Sequence, residues 1–96
     1  MKINTISVSD PCFGRRLRDI PHTPKQLFML GNPAVGERSV AIVGTRKPTA
    51  YGRDVTDKIA SGLARCGVTI VSGLALGVDG LAHSAAVAAG GRTVAV

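Results

Sequence analysis

The sequence predicts an α/β fold: a Rossmann-like parallel sheet built as a βαβαβ unit, truncated, and preceded by a short lead-in rich in proline and glycine. Short apolar runs at residues 40–43, 68–71 and 93–96 are typical of strands that are buried on both faces. A segment with helical periodicity or composition separates each pair of successive runs. This order of elements indicates parallel strands joined by right-handed crossovers.

The two helices are predicted from different signals. In the first, apolar residues recur at every fourth position with two alanines beside them, and we expect this stripe to face the sheet: Tyr51, Val55, Ile59 and Leu63, with Ala60 and Ala64. Thr49 is a candidate N-cap for this helix, and Gly67 supplies its stop. The second helix is predicted over residues 81–89, where alanine is frequent and a glycine pair follows.

Residues 1–38 form the predicted lead-in, and residues 39–96 form the first part of a Rossmann-like domain. Frequent proline and glycine in the lead-in exclude long helices and indicate short turns with extended pieces. Its apolar run at residues 27–30 fits either a short strand or a tucked turn. Because the last apolar run stops inside a core strand, we expect the domain to be incomplete.

Charge favours a polyanionic partner. Twelve basic side chains against six acidic ones give a formal net charge of +6, spread evenly between the two parts of the chain. Cys12 and Cys66 lack the spacing of a zinc site or a disulfide framework, which fits a reducing compartment. No apolar run of about 18 residues is present, and residues 1–20 lack a signal-peptide pattern. We therefore expect a cytoplasmic protein without membrane contact.

In a parallel sheet of this type, ligands bind beyond the carboxyl ends of the strands, which indicates two loops. The first reads GTRKPT at residues 44–49, where a glycine, a hydroxyl and two cations precede a helix. Gly44 lets an anion approach the backbone, and Arg46 can grip two phosphate oxygens at once. The alternative for Arg46 and Lys47 is a pair of solvated loop cations.

The second loop, at residues 72–80, also joins a strand end to a helix start. Its glycines do not form the GxGxxG pattern of dinucleotide-binding proteins, so no NAD-type cofactor is predicted. Two amide-rich turns side by side can cradle successive phosphates of a polymer. With only three aromatic residues, the chain does not suggest a platform that stacks several bases.

Asp79 and His83 lie four residues apart and share a helix face. They could form an acid–base pair or half of a metal site, but the sequence offers no third ligand and no nucleophile. Asp79 is more typical of an N-cap and His83 of a hydrogen-bonded pocket wall. Ser72 is a hydrogen bonder in this interpretation, because the GxSxG pattern is absent. Catalysis and metal binding are therefore not predicted.

Several stretches closely resemble the DprA/Smf family of DNA-processing proteins: VAIVGTR at residues 40–46, YG at 51–52, VSGLA at 71–75, GVD at 77–79, AH at 82–83 and TVAV at 93–96. Part of the lead-in, at residues 17–31, is also similar, although Phe13-Gly14 stands where the family usually has an aromatic–proline pair. The resemblance implies a single-stranded-DNA-binding homodimer that protects incoming DNA and loads the recombinase RecA in natural transformation. It implies no enzymatic activity and no cofactor.

The resemblance also assigns roles to residues. The predicted contacts to DNA phosphates are Gly44, Thr45, Arg46, Lys47, Ser72, Gly73 and Leu74, and the residues predicted to shape the pocket are Tyr51, Gly77, Asp79 and His83. The main alternative is a nucleotide-processing enzyme of the lysine-decarboxylase-like or phosphoribohydrolase group, whose PGGxGTxxE signature is absent here. An NAD-linked enzyme and a module that only binds other proteins are the remaining alternatives.

Overall fold

A computed structural model of the chain describes residues 2–10, 15–31 and 38–96, so Cys12 and Phe13 lie outside the described residues. The chain divides into two compact units, Met1–Gly36 and Glu37–Val96. Within the described ranges, no helix is long and apolar enough to cross a membrane.

The first unit contains two antiparallel strands, β1 (Asn4–Ser7) and β2 (Gln26–Met29), and the short helix α1 (Arg15–Arg18). The apolar run at residues 27–30 is therefore mainly a strand. In β1, Ile6 is almost completely buried. The turn after β1 is held by the Arg18 guanidinium, which donates to the backbone oxygens of Val8 (2.8 Å) and Asp10 (2.6 Å).

The second unit has the predicted α/β fold, but the prediction that its first strand is buried on both faces was wrong, since all three residues of that strand are exposed at the edge of the sheet. Its elements are β3 (Ser39–Ala41), α2 (Ala50–Arg65), β4 (Thr69–Ser72), α3 (Val78–Ala88) and β5 (Thr93–Ala95). The three strands are parallel and lie in the order β3-β4-β5, with Ile70 of the central strand opposite Val40 and Thr93. Two right-handed crossovers that step in the same direction place both helices on one face of the sheet. In agreement, α2 and α3 pack against each other.

Small residues form the core between the helices and the sheet. The buried apolar cluster consists of Ile70 and five alanines: Ala60, Ala64, Ala82, Ala85 and Ala86. Of the predicted stripe on the first helix, the part with Leu63, Ala60 and Ala64 does lie in or against this cluster. The part with Tyr51 and Ile59 was wrong, since these residues are 77% and 50% exposed. The helix turns its alanine side inward because short side chains let two helices approach closely. Close approach is also evident at Gly91, where a Cβ would lie 2.5 Å from the Cβ of Ala64.

The helix ends follow local chemistry, with one correction. Thr49 caps α2, and its hydroxyl accepts a hydrogen bond from the backbone N–H of Gly52 (3.1 Å). Gly67 follows the helix with φ +78°, which is the left-handed region that favours glycine. Helix α3 begins at Val78, three residues before the predicted start at Leu81. The extra turn forms because the loop before it packs against the first loop. This is a tertiary contact, which cannot be predicted from amino-acid composition.

Candidate functional site

The two loops predicted to carry function are joined to each other at the carboxyl end of the sheet. The backbone N–H of Val78 donates to the backbone oxygen of Thr45 (3.0 Å). From the other side, the Asp79 carboxylate accepts from the backbone N–H of Gly44 (3.2 Å). The loops that follow β3 and β4 therefore form a single structure, which we call the loop pair (residues 42–49 and 73–79).

Gly77 is the point of closest approach within the loop pair. Its φ is +87°, and a Cβ at this position would lie 2.3 Å from the Thr45 oxygen and 2.6 Å from the Arg46 Cα. Both are backbone atoms, so no side-chain rotation can relieve the overlap. Because residue 77 is glycine, the backbone of Arg46 can lie directly against the second loop.

A wide, open cleft of about 510 Å³ lies beside the loop pair. Its lining consists of Arg46, Arg53, Leu74, Ala75, Leu76, Gly77, Gly80, Leu81 and Ser84. No acidic side chain contributes to this lining among the residues that the structure describes. Two arginines and no acidic residue therefore line the cleft, which favours an anionic ligand.

Sequence reasoning missed Arg53, which lies in the first turn of α2. The sequence did contain a signal for Arg53, because the first turn of the helix that follows a ligand-binding loop faces the same crevice as the loop. Ser84 on α3 was also missed, and it follows the predicted pocket residue His83 directly. Conversely, Lys47 and Tyr51 are exposed but do not contribute to the lining of the cleft.

The part of the second loop that lines the cleft carries unpaired backbone donors. Among the described residues, nothing accepts a hydrogen bond from the N–H groups of four successive residues: Leu74, Ala75, Leu76 and Gly77. The N-terminus of α3 offers less, since the Val78 N–H is bound to Thr45 and the Gly80 N–H to the Ala75 oxygen (3.0 Å). Most of the free amides at this site therefore belong to the loop rather than to the first turn of the helix.

Asp79 was predicted to be an N-cap, and this was wrong. The N-cap of α3 is Gly77, and Asp79 lies inside the helix, with its carboxylate turned to Gly44 of the first loop. Its other oxygen lies close to Gly73, where a Cβ would stand 2.7 Å away. By accepting a hydrogen bond from the neighbouring loop, the Asp79 side chain holds the two loops together. The sequence does not reveal this contact, because Asp79 and Gly44 lie 35 positions apart.

His83 and Ser72 are buried below the loop pair. The Nε2 of His83 lies 2.8 Å from the Gly73 oxygen and 3.3 Å from the Ser72 oxygen, so it carries the proton and donates. The Ser72 hydroxyl donates to the backbone oxygen of Ile42 in the first loop and is only 3% exposed. Because this hydroxyl is buried and hydrogen-bonded to the first loop, Ser72 is not among the proposed ligand contacts.

Thr45 has a structural role in the first loop. Its hydroxyl accepts a hydrogen bond from the backbone N–H of Lys47 (3.1 Å), which closes a tight turn around Arg46. The remaining predicted contact, Leu74, lines the cleft with a side chain that is 77% exposed. In the described part of the chain, no cluster of three or more His, Cys, Asp or Glu side chains could hold a metal ion.

Comparison with protein families identifies the group to which these loops belong. The family model described as DNA recombination-mediator protein A matches residues 4–96. The chain belongs to this family. A relative in the family, DNA processing protein DprA of Bacillus subtilis, is 43% identical over an alignment of 96 positions that covers 98% of this chain and 32% of the relative.

Solved structures of the family have the same fold. The crystal structure of DNA processing protein A from Streptococcus pneumoniae matches with a TM-score of 0.90 and 38% identity, over 99% of this chain and 34% of that one. DNA processing protein A from Helicobacter pylori, studied for its single-stranded DNA binding mode, matches with a TM-score of 0.78 and 33% identity over 98% of this chain and 41% of that one. The chain thus spans about a third of the Bacillus subtilis and Streptococcus pneumoniae proteins.

Proposed function

We propose that the cleft beside the loop pair binds the sugar–phosphate backbone of single-stranded DNA, and that the protein acts in DNA processing. The observation that carries the proposal is that Arg46 and Arg53 line one cleft together with a loop of four unpaired backbone N–H groups. Guanidinium groups bind phosphate oxygens in pairs, and successive amides form a concave anion site. In this proposal residues 39–96 are the first part of a Rossmann-like DNA-binding domain.

A polymer fits the cleft better than a mononucleotide does. The cleft is wide and open, and it has no GxGxxG turn to hold a pyrophosphate. Contacts to phosphates carry no sequence information, so binding is expected to show little sequence preference. Family membership supports the same ligand, since the Helicobacter pylori relative was studied as a single-stranded DNA binder.

The wider role rests on the family. We propose that the protein is a cytoplasmic, non-catalytic homodimer that protects incoming DNA and loads the recombinase RecA in natural transformation. A measurement of whether the purified protein loads RecA onto single-stranded DNA tests this role separately from DNA binding. If the protein instead hydrolysed nucleotides and did not bind single strands, a nucleotide-processing enzyme would replace this proposal.

Arg46 provides the direct test of binding. Arg46→Ala in the full-length protein should weaken binding to all single strands alike, by roughly ten- to a hundredfold, which is about 1.5–3 kcal/mol for a charge-assisted contact. The slope of log affinity against log salt should flatten by about 0.7, the increment for one phosphate on a single strand. Arg46→Lys should restore part of the affinity, because an ammonium keeps the charge but not the two-pronged geometry.

Arg65→Ala is the matched control, since Arg65 is an exposed cation in the last turn of α2 and does not line the cleft. It should change affinity by less than about 0.5 kcal/mol. Equal losses and equal slope changes for the two variants would mean that bulk charge, and not the loop pair, binds the DNA.

A further inference from the structure

One face of the hairpin formed by β1 and β2 is exposed and apolar. The strand register places Thr5 opposite Phe28, so odd-numbered side chains of β1 and even-numbered side chains of β2 share this face. Ile3 and Leu30 continue the same alternation at the strand ends. On this side, which we call the Phe28 face, Phe28 is 71%, Ile3 65% and Leu30 55% exposed. The opposite face contains the buried Ile6.

The outer edge of β2 has unpaired backbone groups. The backbone N–H of Val8 donates to the oxygen of Lys25 (3.2 Å), so these two directly opposed residues form a hydrogen-bonded pair. Because hydrogen-bonded and non-hydrogen-bonded pairs alternate along an antiparallel ladder, the N–H and C=O groups of Gln26 and Phe28 point away from β1. Among the residues that the structure describes, nothing pairs with them. An open strand edge of this kind is a template for pairing with another strand.

The hairpin also carries a cation near each end of β2. Lys25 precedes β2 directly, Lys2 lies two residues before β1, and both are exposed. By the alternation of side chains, the two lysines belong to the face opposite to Phe28. The acidic residues of the first unit, Asp10 and Asp19, lie outside both strands. A strand added at the edge of β2 would therefore meet apolar side chains on one face and positive charge on the other.

We propose that the edge of β2 is a docking site for an extended segment of another protein in which apolar and acidic residues alternate. The segment adds as a strand that pairs with the backbone of Gln26 and Phe28. Its apolar side chains pack beside Phe28, and its carboxylates lie on the face of Lys2 and Lys25. The site shares no residue with the cleft beside the loop pair and does not depend on the proposed function.

A peptide fits this edge better than nucleic acid does. Strand addition uses the unpaired backbone groups, the apolar face and the two cations together. Nucleic acid would use the apolar face and the cations, but its sugar–phosphate backbone has no N–H groups to pair with the carbonyl oxygens of β2.

The test measures how the full-length protein binds a fluorescein-labelled peptide in which valine and glutamate alternate. We expect a dissociation constant of about 10–100 µM that rises with salt, because exposed charges are screened. Phe28→Ser should weaken binding by about tenfold, and Phe28→Leu should restore most of it. Val87→Ser, which changes an exposed valine of helix α3, is the control and should leave binding unchanged. Equal melting temperatures show that the variants are folded.

Two further measurements test the charge and the backbone pairing. Lys2→Glu with Lys25→Glu should weaken binding of the glutamate peptide by about tenfold and should create binding of a peptide that alternates valine and lysine. Alternate N–H groups of an extended peptide point to the same edge. Of two isomers of the peptide, N-methylated on every valine or on every glutamate, one should therefore bind and the other should not.

The possible outcomes decide between occupants. If Phe28→Ser binds the peptide as the wild type does, or if both methylated isomers bind or neither binds, strand addition is refuted. If Phe28→Ser instead binds oligothymidylate more weakly and the peptide equally well, the face contacts nucleic acid. If the peptide does not bind and Phe28→Ser dissociates a dimer in sedimentation, a second copy of the chain covers the face. Either of the last two results overturns the proposal.

Discussion

The carboxylate of Asp79 accepts a hydrogen bond from the backbone N–H of Gly44, across 35 positions of the chain. Gly44 follows strand β3 and Asp79 lies in the first turn of helix α3, so the bond ties the loop of Arg46 to the start of that helix. A second tie, from the Val78 N–H to the Thr45 oxygen, runs beside it. The position of Arg46 in the cleft thus depends on a side chain that does not line the cleft.

Substitutions of Asp79 distinguish its role in positioning Arg46 from the effect of its negative charge. Asp79→Ala removes the acceptor and should lower the free energy of unfolding by about 1–2 kcal/mol, because the Gly44 N–H loses its partner. Affinity for single strands should fall with an unchanged salt slope. Asp79→Asn keeps an acceptor oxygen and removes a negative charge near the cleft, so its affinity should equal or exceed that of the wild type. Thermal unfolding and DNA titration measure both effects.

Asp57→Ala is the control for these variants, since Asp57 is exposed in the middle of α2 and does not line the cleft. It should leave stability within about 0.5 kcal/mol of the wild type. Weaker binding by Asp79→Asn than by Asp79→Ala would refute the positioning role.

Glycine at position 77 is required by both conformation and space. Gly77→Ala would place a Cβ 2.3 Å from the Thr45 oxygen at a φ of +87°. The loop pair would have to separate, and stability should fall by about 2–4 kcal/mol, with loss of DNA binding. Urea unfolding of the full-length variant measures the cost.

Gly62 offers the opposite case on helix α2. An added Cβ there would meet nothing within 4 Å. Gly62→Ala should therefore raise the free energy of unfolding by about 0.5–1 kcal/mol, because alanine loses less backbone entropy in a helix than glycine does. If the two substitutions had similar effects, steric contact with the first loop would not be the reason for glycine at position 77.

The fold was predictable because its signals are local. Continuous apolar runs and the residues at both ends of α2 are read directly from short stretches of sequence, and Thr49 and Gly67 act as expected. The buried face of α2 was not predictable from hydrophobicity alone. Ala60 and Ala64 are less apolar than Ile59, yet they are buried and Ile59 is half exposed. Close packing of two alanine faces stabilises the fold by more than the exposure of one isoleucine costs.

At the site, the two loops were predictable but the contacts between them were not. Strand ends in a parallel sheet indicate where ligands bind, and Arg46 does line a cleft there. The bond between Asp79 and Gly44 depends on the angle at which the loops meet. Arg53 enters the cleft from the first turn of α2, a position fixed by the packing of the helix on the sheet.

His83 should support the second loop from below. Its Nε2 donates to the Gly73 oxygen, which has no other partner among the described residues, whereas the Ser72 oxygen also accepts from the Val96 N–H (2.9 Å). His83→Phe fills similar space but cannot donate, and it should cost about 1–3 kcal/mol of stability. His83→Gln retains a donor and should recover part of this loss. Equal melting temperatures for the two variants would show that the hydrogen bond contributes nothing.

The two arginines of the cleft should bind different phosphates of one strand. Arg46 lies in the first loop and Arg53 in the first turn of α2. If each neutralises its own phosphate, Arg53→Ala should flatten the salt slope by about 0.7 and the double variant by about 1.4. A double variant whose slope changes no more than that of either single variant would mean that both arginines grip the same phosphate. Lys58→Ala, which removes an exposed cation of α2 outside the cleft, should leave the slope unchanged.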